Sequence, residues 1–133
     1  MIRLPNLQPI GRMAVFFLPA KKLSEYPDTQ KWLEETLLAL YTGYTKMTQH
    51  IEGHYCMGHE VVKDEHIRYE VSFKGKKQIP AFVRFISRLA GALAEKEIYL
   101  TMGNKSYLVT PSSIDSDLRK KKTSGAIDAK SLT

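Results

Sequence analysis

A nine-residue stretch of alternating apolar and polar residues, from His66 to Lys74, constrains the fold more than any other feature of this chain. Successive side chains of a strand face opposite sides, so every second residue of this stretch falls on the same side. The apolar residues that share one side are Ile67, Tyr69, Val71 and Phe73. The pattern therefore predicts a strand with one face in the core and the other face toward water.

The segments before this strand predict a strand, a helix and a second strand. Residues 12–18 include a continuous apolar run, which favours a central strand buried on both faces. After a polar loop over residues 20–27, Asp28 is suited to cap a helix that includes Leu40 in its apolar stripe and ends at a left-handed Gly43. Residues 44–56 then predict a polar strand with a bulge at Gly53, and residues 57–65 predict a loop.

The segments after the alternating stretch predict a helix and a β-hairpin. Ile79-Pro80 fits the first turn of a helix, because the backbone N–H groups of that turn have no partner within the helix and proline has no N–H group. The buried stripe of this helix is formed by Phe82, Ile86, Leu89 and Leu93. Residues 97–102 and 105–110 flank Gly103-Asn104, a common two-residue hairpin turn.

This order of elements predicts an α+β fold, namely a ferredoxin-like split βαβ sandwich. Its pattern is β-α-β-β-α-β plus a C-terminal hairpin strand, with two helices on one face of an antiparallel sheet. We expect an irregular arm over residues 1–11, a single domain over 12–110 and a flexible basic tail over 111–133. The uncovered sheet face predicts a homo-oligomer, most simply a homodimer.

Composition and charge indicate the compartment and the kind of partner. The single cysteine, Cys56, has no partner within the chain, and the apolar run near the N-terminus is too short for an export signal or a membrane span. We therefore expect a cytoplasmic protein without membrane contact. The net charge of +6 favours an anionic partner, either nucleic acid or an acidic protein.

A basic segment around the start of the second helix is the first candidate site. Positive charge beside the free amides of a helix N-terminus suits phosphate binding. The residues of this predicted anion-binding site are Lys74, Lys76, Lys77, Arg84 and Arg88. The alternative is a solvated loop and a polar helix face.

All four histidines lie within seventeen residues and form the second candidate site. His50 and His54 are the candidate catalytic residues, because a histidine changes its charge near neutral pH. His54, Cys56 and His59 are weaker candidates for metal ligands, since their spacing matches no standard zinc pattern. We expect no cofactor, because the chain contains no nucleotide-binding fingerprint.

These features favour a non-enzymatic binding module that self-associates and engages a phosphate-bearing or acidic partner. A second interpretation is a small enzyme whose pocket lies on the open sheet face and uses the hairpin histidines, as in dimeric α+β barrels. A third is a structural subunit of a larger assembly. The sequence alone does not decide whether there is catalysis.

Overall fold

A computed structural model describes residues 6–8, 11–41 and 43–111, apart from the side chain of residue 50. The elements are β1 (Arg12–Pro19), α1 (Ala20–Glu25), α2 (Pro27–Tyr41), β2 (Thr45–Met57), β3 (Glu60–Phe73), α3 (Ile79–Ala92), β4 (Ile98–Met102) and β5 (Lys105–Val109). A single 3-10 turn, Lys76–Gln78, leads into α3. The protein is therefore an α+β protein. Most of the predicted N-terminal arm and nearly all of the predicted tail lie outside the described residues.

The five strands form one antiparallel sheet in the order β2-β3-β1-β4-β5. The central position predicted for β1 is confirmed, because Phe16 lies opposite Tyr69 of β3 on one side and opposite Leu100 of β4 on the other. Burial on both faces is only partial, since Val15 is buried whereas Met13 is 53% exposed.

One face of the sheet carries the core, and the two longer helices pack against it. The Phe16 ring lies 5.3 Å from that of Tyr69 and 6.1 Å from that of Phe82 on α3, measured between centroids. The predicted stripe of α3 is confirmed, because all four of its members are fully buried. Each such side chain stabilises the fold by about 1.5–3 kcal/mol.

The segment before α2 is a short helix rather than the predicted loop. Tyr26 separates α1 from α2 and has φ −126° and ψ 67°, outside the helical region. The cause is Pro27, because a proline ring clashes with a helical residue before it. Asp28 consequently lies inside the first turn of α2 rather than capping it.

The end of α2 also departs from the prediction. Leu40 was expected in the buried stripe but is exposed. Gly43 does not adopt a left-handed conformation; in the described part of the chain the glycines with positive φ are Gly11, Gly58 and Gly103. The backbone after α2 therefore turns without the predicted glycine cap.

Strands β2 and β3 are longer than expected and project beyond the sheet. Most of the predicted loop over residues 57–65 is strand, with a tight turn at Gly58 and His59. Gly53 pairs with Asp64 in regular register, so the bulge predicted at Gly53 is wrong; the irregularity lies between Met47 and Ile51. The last pair of β1 with β3 is Pro19 with His66. Residues 51–65 thus form a two-stranded extension, here called the arm.

The second face of the sheet, here called the open face, carries several exposed apolar side chains. They are Met13, Met47, Tyr99 and Leu108. Arg68 and Glu70 form an ion pair on the same face. Self-association through this face stays a prediction. Within the described part of the chain, none of the helices has the length and apolar character that crossing a membrane requires.

Candidate functional site

A partly buried carboxylate on α2 joins this helix to the sheet. Glu34 Oε2 accepts hydrogen bonds from the Tyr69 hydroxyl at 2.7 Å, from Lys46 Nζ at 2.8 Å and from Gln30 Nε2 at 3.4 Å. Tyr69 is fully buried, and the Lys46 ammonium lies 5.8 Å from the centre of its ring. These residues are called the Glu34 cluster.

The electrostatics of the Glu34 cluster indicate a structural role. Burial acts to raise the pKa of Glu34, but the hydrogen bonds from Lys46 and Tyr69 outweigh it, and the pKa is lowered. Burial, together with the Glu34 carboxylate, raises the pKa of Tyr69 well above its usual range. Glu34 is therefore a charged acceptor and Tyr69 a neutral donor at pH 7. A substrate has no access to the Tyr69 hydroxyl.

Two clefts flank the Glu34 cluster. One, of about 500 Å³, lies between α1 and the edge of the sheet, where Lys46 and Glu65 line it. The other, of about 550 Å³, lies at the edge of β3 beyond the start of β2, where Tyr44, Glu70 and Ser72 line it. Both volumes are in the range of small-molecule sites, which is about 300–1,000 Å³.

The arm carries a tyrosine and a carboxylate that are accessible to solvent. The Tyr55 hydroxyl donates a 2.6 Å hydrogen bond to Asp64 Oδ2. This bond, with a small contribution from burial and from the Asp64 charge, raises the pKa of Tyr55 to about 12. Glu95 lies nearby; burial raises its pKa, the Lys22 charge opposes this, and the Asp64 charge reinforces it. The Tyr55 ring and the Asp64 carboxylate are therefore held together where a ligand can reach both from solvent.

A row of rings crosses the open face beside this pair. The Phe17 ring lies 6.4 Å from the His66 imidazole and 5.9 Å from the Tyr99 ring, measured between centroids. The Tyr99 hydroxyl is hydrogen-bonded to the Ser106 hydroxyl at 2.8 Å. Phe17, His66 and Tyr99 are called the ring row. The Phe17 ring is inclined by 54° to the imidazole and by 50° to the Tyr99 ring, and the row continues toward the arm because His66 and Asp64 lie on the same side of β3.

The predicted histidine sites do not converge. His54 Nε2 lies 3.4 Å from Glu52, which also binds Lys63 at 3.0 Å, and all three are exposed on the side of the arm away from Tyr55. Cys56 is exposed, and His59 lies in the turn of the arm. In the part of the chain that the structure describes, no three histidine, cysteine or acidic side chains are grouped as metal ligands would be. The side chain of His50 is not described.

The predicted anion-binding residues are spread along the start of α3. Lys74 follows β3, Lys76 and Lys77 lie in the 3-10 turn, and the lysines are exposed. A helix rises about 1.5 Å per residue, so Arg88 lies roughly 12 Å beyond Pro80. Arg88 therefore does not converge on the lysines. An anion site built from the three lysines and Arg84 stays a prediction.

Sequence reasoning did not identify the accessible pair. Tyr55 and Asp64 meet only because the arm is a regular hairpin, and the segment was expected to be a loop. The Glu34 cluster was missed too, although one signal was present: Tyr69 falls on the apolar side of a strand, where its hydroxyl needs a buried partner.

Comparisons with known proteins show which fold the chain shares. The sequence matches no family model, and no similar sequence was found among curated proteins. Its structure is similar to that of a phage SAM lyase in the apo state, with a TM-score of 0.55 and 10% identity over 84% of this chain and 98% of the lyase. A phage SAM lyase in complex with S-methyl-5'-thioadenosine matches with a TM-score of 0.53 and 11% identity, covering 82% and 96%. At 10% and 11% sequence identity, this structural similarity shows a shared fold and does not show a shared activity.

These comparisons correct the first functional interpretation. The chain was expected to be a non-enzymatic binding module for a phosphate-bearing or acidic partner. The solved structures that share its fold over nearly their entire length are those of an enzyme. The prediction of a binding module is therefore wrong.

Proposed function

We propose that this chain is a lyase that cleaves S-adenosylmethionine (SAM), and that it does so on the open face, between the ring row and the Tyr55–Asp64 pair. The observation that carries this proposal is the likeness to the phage SAM lyase, which covers 98% of that chain and leaves no domain of it without a counterpart here. The fold alone does not imply an activity, so the residues must also suit the chemistry.

The chemistry of the reaction defines what the site must hold. SAM carries a positive sulfonium between an adenosine and a four-carbon amino-acid group. The reaction balances without a further reactant when the carboxylate of the amino-acid group attacks the carbon bonded to sulfur. A C–O bond forms and the four-carbon group leaves as a lactone, while the C–S bond breaks with its electron pair staying on sulfur and S-methyl-5'-thioadenosine remains. The substrate is therefore a cation at sulfur and the nucleoside product is neutral. A site for this reaction needs an aromatic ring face on which adenine can stack and negative charge near sulfur.

The accessible residues meet both needs. Phe17 and Tyr99 supply ring faces on which adenine stacks; base–aromatic stacking contributes about 1–3 kcal/mol. The Asp64 carboxylate attracts the sulfonium, and the Tyr55 ring face attracts it further by a cation–π interaction. Local carboxylates are needed because the protein as a whole carries a net charge of +6 and would repel a cation. Tyr55 holds Asp64 in place through the 2.6 Å bond.

The Glu34 cluster is the less suitable site. Its tyrosine has no exposed surface, and its carboxylate accepts three hydrogen bonds on one oxygen. A carboxylate so occupied has little capacity to bind a cationic substrate. We assign the Glu34 cluster the role of fixing α2 on the sheet.

The proposal is tested by measuring S-methyl-5'-thioadenosine formed from SAM. Asp64→Asn should lower kcat/KM about 10²-fold, which is the usual effect of removing a group that stabilises charge in an active site. Tyr55→Phe keeps the ring and should lower it about tenfold. Glu52→Gln is the matched control, because Glu52 is an exposed carboxylate on the other side of the arm. Wild-type rates in Asp64→Asn, or equal losses in Glu52→Gln, would contradict the proposal.

We also propose that β1 to β4 form a ferredoxin-like split βαβ unit. The support is the strand order β2-β3-β1-β4, in which helices connect β1 to β2 and β3 to β4 and all neighbours are antiparallel. Strand β5 then extends the edge next to β4.

A further inference from the structure

Gly53 and His66 approach each other closely where the arm joins the sheet. A β-carbon built on Gly53 would lie 2.6 Å from Cε1 and 2.7 Å from Nδ1 of the His66 imidazole. Gly53 is not among the glycines with positive φ, so its backbone conformation does not require glycine. A β-carbon at this position would, however, force the imidazole to move. The His66 ring therefore packs directly against β2 at Gly53.

The His66 imidazole lies between the rings of Phe17 and Tyr99 and the Tyr55–Asp64 pair. On the sheet side it faces Phe17, with the ring planes inclined by 54°. On the arm side it shares a strand face with Asp64, which holds Tyr55. His66 is thus the member of the ring row that lies next to the hydrogen-bonded pair, whereas His54 lies on the opposite side of the arm.

We propose that His66 is a positioning residue, whose imidazole packs against Gly53 and holds the arm so that Tyr55 and Asp64 lie beside Phe17 and Tyr99. In this role it also makes substrate binding depend on pH. The inference about catalysis rests on the proposed SAM lyase function, whereas the inference about position rests on the geometry alone.

The direction of the pH effect follows from the groups that face His66. Burial lowers the pKa of His66, and the Asp64 charge opposes this shift. Tyr55 on β2 is a neutral phenol at pH 7 because its pKa is raised. Phe17 on β1 is not ionisable, and Tyr99 on β4 faces Phe17 rather than the imidazole. Asp64 and Lys22 each act on Glu95, where the Asp64 charge raises the pKa and the Lys22 charge lowers it.

The imidazole is therefore neutral at pH 7 and gains a proton as the pH falls through its lowered pKa. The imidazolium then lies beside Asp64 and competes with a cationic sulfonium for that carboxylate. KM for SAM should rise at acid pH, while kcat changes less.

The kinetic test compares the pH profiles of wild type, His66→Gln and His54→Gln. We expect the acid rise in KM, about tenfold, to disappear in His66→Gln and to persist in the matched control His54→Gln. An unchanged acid rise in His66→Gln would overturn the pH effect. Gly53→Ala should lower kcat/KM about tenfold, because the displaced imidazole no longer fixes the arm.

A second measurement keeps the inference separate from the proposed function. NMR titrations of the His66 imidazole and the Tyr55 phenol need no substrate. In Gly53→Ala the pKa of His66 should rise toward its ordinary value, and that of Tyr55 should fall from about 12 as its bond to Asp64 loosens. Unchanged titrations would overturn the positioning role. If the titrations change but the protein leaves SAM intact, the positioning role stands and the lyase function is rejected.

Discussion

Removal of one buried hydroxyl group gives a direct test of the Glu34 cluster. Tyr69→Phe deletes the donor of the 2.7 Å bond to Glu34 and leaves Lys46 and Gln30 in place. A hydrogen bond to a charged group contributes about 1.5–3 kcal/mol, and no cavity of note forms because the ring remains. We expect the free energy of unfolding to fall by that amount. For a chain of this length this corresponds to a drop in Tm of about 5–12 °C.

Urea denaturation measures this change, and a second tyrosine supplies the control. Tyr99→Phe removes an exposed hydroxyl bonded to Ser106, so the free energy of unfolding should change by less than about 0.5 kcal/mol. The midpoint for Tyr69→Phe should fall with an unchanged denaturant slope. Wild-type stability in Tyr69→Phe would refute the structural role of the cluster. If SAM cleavage by the folded variant were lost while Asp64→Asn remained active, the catalytic site would have been misassigned.

Three further predictions concern stability and assembly. The pKa of Glu34 is lowered on folding, so the ionised carboxylate contributes to the free energy of unfolding above its unfolded pKa, and this contribution is lost as the pH falls through the folded pKa. The urea midpoint should therefore drop less between pH 7 and about pH 3 in Glu34→Gln than in wild type. Light scattering at tens of micromolar should give a mass above the 15.2 kDa of one chain, and a monomer would reject self-association. Truncation after Pro111 should leave Tm within about 2 °C, because few apolar residues follow; a larger loss would mean that the tail docks on the domain.

The elements that were predicted correctly are those in which one side of a regular element is buried. The alternation in β3 and the stripe of α3 are direct consequences of burial on one side, so both were evident from residue spacing. The turn at Gly103 was predictable from the Gly103-Asn104 pair, since the φ of +63° that the turn requires at Gly103 favours glycine. Helix α1 was missed, since six residues are too few to show a period.

The arm and the proposed site were not predictable from such patterns. Neither side of the arm is buried, so its residues have no apolar period, and it is held by pairing between β2 and β3. Which residues meet across it depends on the turn at Gly58, which brings Tyr55 and Asp64 together from nine positions apart. His66 was overlooked in favour of His50 and His54, because only the structure shows that its ring occupies the space above Gly53.

The proposed reaction breaks the bond between sulfur and the four-carbon group of SAM. Purified protein incubated with SAM carrying a ¹³C-labelled methyl group tests it directly by NMR. We expect the sulfonium methyl signal to be replaced, one for one, by the thioether methyl signal of S-methyl-5'-thioadenosine. An unchanged substrate signal, or transfer of the label to another molecule with formation of S-adenosylhomocysteine, would contradict it.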